Sequence, residues 1–205
     1  APAAAWRRGT RASLLRFYLP ALTLPLADPL LSLVDTVVVG QFAPTSELAA
    51  VGCAVVLFNF CSYAASALPV TTVALAGEEL RRGRPEEARR LVSHALTLAA
   101  AVGAALAAVV AAAAPQLLAA VGATPEVMAP ALGYTRARCA AIPLVLVASV
   151  SQAGLIATGD SDRPAAVVGG AAAANVALDL LLVAGLGMGA TGAALATLAA
   201  QAAAA

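Results

Sequence analysis

Two acids, Asp28 and Asp35, stand in the apolar run "PLADPLLSLVDTVVVGQ" at residues 25–41. A third, Asp179, stands in "NVALDLLLV", four residues after Asn175. A carboxylate at the centre of a bilayer-spanning helix costs about 2.5–3.5 kcal/mol on insertion scales. Acids kept at such a price face a cavity or a partner and mark an ion or substrate path. Asp28 and Asp35 are seven apart, and seven steps of about 100° return to nearly the same helix face. Asn175 and Asp179 are four apart and stack on one face. A desolvated carboxylic acid near a second one can take up and release a proton near neutral pH. Carboxylate, amide and hydroxyl oxygens also suit a hard cation such as Na+. The alternative is an interhelical hydrogen bond that only holds helices together. That reading suffices for Asn175 alone. It does not explain two separate apolar helices that each carry an acid.

The elements that must hold these groups are membrane helices. Of 205 residues, 61% are hydrophobic and 11% charged, against about 25% charged in ordinary soluble domains. The windows 48–77, 91–125, 139–159 and 180–205 contain no Asp, Glu, Lys or Arg. Each reaches the roughly 20 apolar residues that a spanning helix needs. An alanine-rich soluble bundle would show polar residues every few positions on its outer face, and these windows do not. The net charge of +1 implies no nucleic-acid partner. No GxxxxGK[ST] is present, and "GLGMGATG" follows no strand, so no nucleotide site is read from it. Cys53, Cys61 and Cys139 have no metal-ligand spacing and read as small buried hydrophobes, not as a disulfide framework. No enzyme chemistry and no cofactor are expected.

Six hydrophobic helices are predicted, at about 17–41, 48–76, 90–114, 127–157, 163–186 and 191–205. Turn chemistry separates them in "GQFAPTSE", "AGEELRRGRPEE", "PQLLAAVGATPE", "TGDSDRP" and "GLGMGATG". The fourth opens with Arg136 and Arg138, which places its first turns at an interface or against a wet cavity. Arg7, Arg8, Arg11 and Arg16 precede the first helix; Arg81, Arg82, Arg84, Arg89 and Arg90 lie between the second and third; Arg163 follows the fourth. Segments 42–47 and 115–126 hold no Arg. The positive-inside rule then puts the N-terminus on the cytoplasmic side or its organellar equivalent. Small residues crowd "AAAVGAALAAVVAAAA" and "VVGGAAAANVALD", where backbones can approach closely.

"ADPLLSLVDTVVVGQ", followed by "ELAAVG" and "LFN", resembles the start of the multidrug and toxic compound extrusion (MATE) transporters, in the DinF-like branch. The likeness continues through "GYTRARCAAIPLVLVASVSQAGLIATGDSDRP" and "NVALDLLLVAGLGMGATGAALATLAAQ", and covers about residues 17–201. Plant members of that branch include plastid proteins and citrate exporters. By this resemblance Asp35 matches the acid of the family's first helix, and Asn175 and Asp179 match its fifth-helix pair. Tyr134 matches a fourth-helix tyrosine and Thr197 a sixth-helix threonine. Together these imply a cation-coupling site in the N-terminal lobe, binding H+ or Na+ at Asp35 and Asp179. Pro20 matches a proline at which the first helix is proposed to bend.

Family members have twelve helices in two lobes with substrate between them. The resemblance therefore implies an Arg-rich tail at 1–16, a six-helix lobe at 17–205 that stops in helix six, and a missing C-terminal lobe. A fragment, a truncated gene model and a degenerate copy all fit. The implied activity is cation-coupled antiport that exports organic solutes or xenobiotics. One alternative is an organic-anion exporter of the citrate type; another is a truncated membrane protein that does not transport. The implied location is the plastid envelope or the plasma membrane. Asp28, about 10.5 Å of rise from Asp35, shares its face but not its site. It is expected to serve the cavity in a secondary way, solvating the path or touching substrate.

Overall fold

The computed structural model describes residues 11–204, apart from the side chains of residues 11–13 and of Asp28. Arg7 and Arg8 of the predicted tail lie outside the described residues, as does the side chain of Arg11. The elements are α1 (Arg11–Phe42), α2 (Thr45–Ala65), α3 (Ala67–Arg81), α4 (Pro85–Ala120), α5 (Pro125–Cys139), α6 (Ile142–Ala157), α7 (Asp162–Asp179) and α8 (Gly189–Ala204). A wider π-helical turn, Leu180–Gly185, extends α7. Among the described residues there is no strand. The protein is the all-α membrane bundle that its composition predicts.

Proline explains where eight α-helices arise from six rods. A proline lacks the N–H that would bond the carbonyl four residues earlier, and its ring crowds that carbonyl. Four residues before Pro69 is Ala65, where α2 ends, and four before Pro143 is Cys139, where α5 ends. The predicted second and fourth helices therefore each divide. α2 and α3 still run as one span, Thr45–Arg81, whereas α5 and α6 meet at 43°. In α1, Pro29 withholds a bond from Pro25, and the arms Leu14–Ala27 and Pro29–Phe42 are bent by 42°. That bend falls at Asp28; Pro20 lies within the first arm. Pro115, by contrast, does not end a helix where "PQLLAAVGATPE" was expected to turn. α4 continues past it to Ala120, and the turn comes at 121–124.

Among the described residues, three helices are long and apolar enough to cross a bilayer unbroken: Thr45–Arg81, Pro85–Ala120 and Asp162–Gly185. Counting each bent pair as one span brings the number to five. α1 packs along α7, α7 along α8, and α8 along α5, while α2 also lies on α5. α4 and α3 flank α6 on the far side. Small residues set these spacings. A Cβ on Gly103 would stand 2.5 Å from the Pro143 Cα, so α4 meets the α6 backbone directly. The main core gathers Val38, Val39, Val51, Phe58, Tyr134 and Ala193 where α1, α2, α5 and α8 converge. Cys61 and Cys139 are buried free thiols.

The ends of the rods are fixed by polar contacts. At the α1–α2 end, the Glu47 carboxylate accepts the Ala190 backbone N–H at 2.6 Å, capping α8. Gly189 at φ 56° carries no Cβ where that carboxylate lies against it. At the opposite end, the α3–α4 hairpin carries exposed pairs, including Arg81–Glu78, Arg89–Glu86 at 3.3 Å and Arg90–Glu87 at 3.2 Å.

Candidate functional site

Four helices bring one buried polar group together beside the main core. Asp35 comes from the second arm of α1, Tyr134 from α5, Asn175 and Asp179 from the last turns of α7, and Thr197 from the middle of α8. None is more than 4% exposed. All five residues singled out in the sequence as a cation site therefore lie in one neighbourhood. Asp35 shares the inner face of α1 with Val38 and Val39, while Leu33 and Val37 point outward. The four-residue step from Asn175 to Asp179 stacks both on the face of α7 that meets α1 and α8.

Thr197 is the hub. Its one hydroxyl proton has two acceptors in reach, Asp35 Oδ2 at 3.3 Å and the Ala193 carbonyl at 3.0 Å, and its oxygen accepts from Asn175 Nδ2 at 3.3 Å. The Asp179 carboxyl lies close enough to Asp35 for a hydrogen bond once one of the two carries a proton. Asp35 Oδ1, Asn175 Oδ1 and both Asp179 oxygens are buried without a hydrogen-bond donor among the described residues. Four hard oxygens left unsatisfied at one place are able to hold a cation or a proton, and a buried acceptor without a partner costs roughly 1–3 kcal/mol. Among the described residues no three His, Cys, Asp or Glu gather at one place.

Arg138 completes the group, and its membership was not foreseen. It sits near the α5–α6 break, not in the opening turns of a long helix, with its side chain 22% exposed. Its Nη1 donates to the Tyr134 hydroxyl at 2.8 Å and lies 3.7 Å from Asp35 Oδ2. The guanidinium also rests over the Phe58 ring at 5.2 Å and the Tyr134 ring at 5.8 Å. The signal was present: an Arg four residues after Tyr134 shares its face. Asp28 stands at the bend of α1, and its side chain lies outside the described residues.

The MatE family model matches residues 20–181 of this chain. Protein DETOXIFICATION 47, chloroplastic, of Arabidopsis thaliana is 32% identical over 190 residues, covering 92% of this chain and 35% of that protein. Protein DETOXIFICATION 44, chloroplastic, of the same plant is 34% identical over 191 residues, covering 87% and 36%. The chain thus spans about a third of the length of these relatives. Among solved structures, MATE in the bent conformation superposes with a TM-score of 0.88 at 26% identity, over 93% of this chain and 42% of that one.

Proposed function

The chain belongs to the MatE family of multidrug and toxic compound extrusion transporters, and from that premise we propose that it forms the N-terminal lobe of a cation-coupled exporter of organic solutes. The lobe expected at 17–205 begins earlier, with α1 at Arg11 inside the predicted Arg-rich tail of 1–16, and a C-terminal lobe completes the solute pathway. The observation that carries the reading is the set of unsatisfied oxygens on Asp35, Asn175 and Asp179, held around Thr197. Asp35 and Asp179 bind the coupling H+ or Na+; Asn175, Tyr134 and Thr197 shape their site. Binding the ion neutralises a buried negative charge, which is the energetic difference that an ion gradient can use to bias two states of the lobe.

The Arg of the α3–α4 hairpin and Arg163 crowd one end of the bundle, while the 42–47 and 115–126 segments hold none. This supports an N-terminus on the cytoplasmic or stromal side. The chloroplastic names of both plant relatives support a plastid membrane. A second reading, export of organic anions, draws support from Arg138. Its guanidinium lines a cavity of about 50 Å³ together with Phe58, Ser62, Thr197 and Gln201, a lining that suits a carboxylate on an apolar body.

Solute efflux from vesicles holding the full-length protein, under separate proton and sodium gradients, tests the reading. Asp35→Asn should abolish gradient-driven efflux while membrane insertion persists. Asp28→Asn should leave coupling intact and alter the apparent affinity for solute. Coupling that survives Asp35→Asn and is lost in Asp28→Asn would reverse the two assignments.

A further inference from the structure

A second cavity, of about 70 Å³, lies beneath the α1 bend. One wall is α1 itself: Leu24 and Ala27 before the bend, Leu31 after it. The rest of the lining is mixed: apolar residues of α6, α7 and α8, such as Val145 and Val168, with Ser149 and Gln152 of α6 and Gln201 of α8 set among them. Gln201 and Val145 also line the cavity that holds Arg138 and Thr197, so these two side chains form the partition between the two spaces.

Position along the helices orders the groups. Asp35 lies seven residues before the end of α1, and Thr197 eight residues after the start of α8, so both sit about 10–12 Å from the end capped by Glu47. Gln201 is one turn deeper on the same face of α8 as Thr197. Gln152 is five residues, about 7.5 Å, from the opposite end of α6. The sequence of polar groups Asp35, Thr197, Gln201, Gln152 therefore descends from the buried cluster toward the end where α1 begins.

Among the described residues, no protein group hydrogen-bonds the half-buried amides of Gln152 and Gln201. Ser149 spends its proton on the Val145 carbonyl at 2.8 Å, leaving its oxygen able to accept. An amide without partners in an apolar helix costs several kcal/mol at most depths of a bilayer. The cavity has room for water to meet that cost, because one water needs only about 10–15 Å³ of such volume and two to four polar partners. Building on the ion site assigned above, we infer that this cavity is a hydrated conduit carrying the coupling ion between Asp35 and the aqueous side on which α1 begins. Gln201 passes the ion across the partition, and the bend of α1 sets the position of the far wall.

Two measurements on the full-length protein test this. In a background with its cysteines replaced, Gln152→Cys should react with a membrane-impermeant, positively charged methanethiosulfonate added from the side where α1 begins. Val167→Cys, at similar depth but outward-facing, should not. In the native background, Gln201→Leu should lower kcat for coupled efflux about tenfold, and Gln201→Asn should restore most of the rate. Labelling of Gln152→Cys no faster than of Val167→Cys, or an unaltered kcat in Gln201→Leu, overturns the conduit. Labelling needs no ion coupling, so it separates the two readings. Fast labelling beside an Asp35→Asn variant that keeps its coupling overturns the ion site on which the route rests.

Discussion

The α3–α4 hairpin and the buried cluster both set Arg against carboxylates, and they do so under opposite conditions. In the hairpin, Arg89 and Glu86 approach to 3.3 Å with side chains 78% and 72% exposed. In the cluster, Arg138 and Asp35 stand 3.7 Å apart with Asp35 only 1% exposed. The shorter pair is the weaker one. Water screens the hairpin charges, and exposed pairs contribute about 0–1 kcal/mol. In the cluster Asp35 is removed from water and Arg138 only partly exposed, so the carboxylate depends on its neighbours for compensation and loses heavily when one of them is taken away. Distance alone would rank the two regions the wrong way round. The hairpin uses its charges to mark an aqueous end of the bundle. The cluster holds its charges where water does not screen them.

The largest effect expected from this contrast is on Arg138. Arg138→Met should lower the stability of the detergent-solubilised full-length protein by on the order of 3 kcal/mol. Adding Asp35→Asn should recover much of that loss, because the second change removes the charge left unpaired. Simple additivity in this double-mutant cycle would show that Arg138 acts through packing on Phe58 and Tyr134 instead. An intermediate effect is expected at Glu47, which is buried in part and bonds a backbone N–H across α2 and α8. Glu47→Ala should cost about 1 kcal/mol, comparable to the loss of a helix cap, and should speed hydrogen exchange at the Ala190 amide. The smallest effect belongs to the hairpin: Arg89→Ala should change stability by no more than about 0.5 kcal/mol. What little it changes should vanish in 1 M KCl, where the Debye length is about 3 Å. A larger, salt-resistant loss at Arg89 would break the comparison.

Much of the cluster was legible before any coordinates. Acids in apolar runs are expensive enough that their presence is itself a signal, and the four-residue step from Asn175 to Asp179 fixed a common face. Four of the six rods show as charge-free windows of a length with few other uses, and the other two as the apolar runs that carry the acids. The divisions within the rods were partly readable. Pro69 and Pro143 end helices four residues upstream, yet Pro115 does not, and the same local rule applied to all three. The difference is what surrounds each ring, and local sequence does not contain it.

Arg138 shows the limit most clearly. By itself the sequence determined that this arginine lies in an apolar helix on the face of Tyr134, and that Asp35, Asn175 and Asp179 look inward. Tertiary structure alone decided that α5 bends into α6 by 43° while α2 and α3 stay in one span. It also brought α1 and α8 close enough for Thr197 to join Asp35 and Asn175 across 162 and 22 residues of chain. The physical reason is one of range. Periodicity and insertion cost act within a helix, so a sequence reports which face is polar. Which faces meet is settled by close packing of small residues such as Gly103 against Pro143, a sum of many weak contacts that no single residue announces.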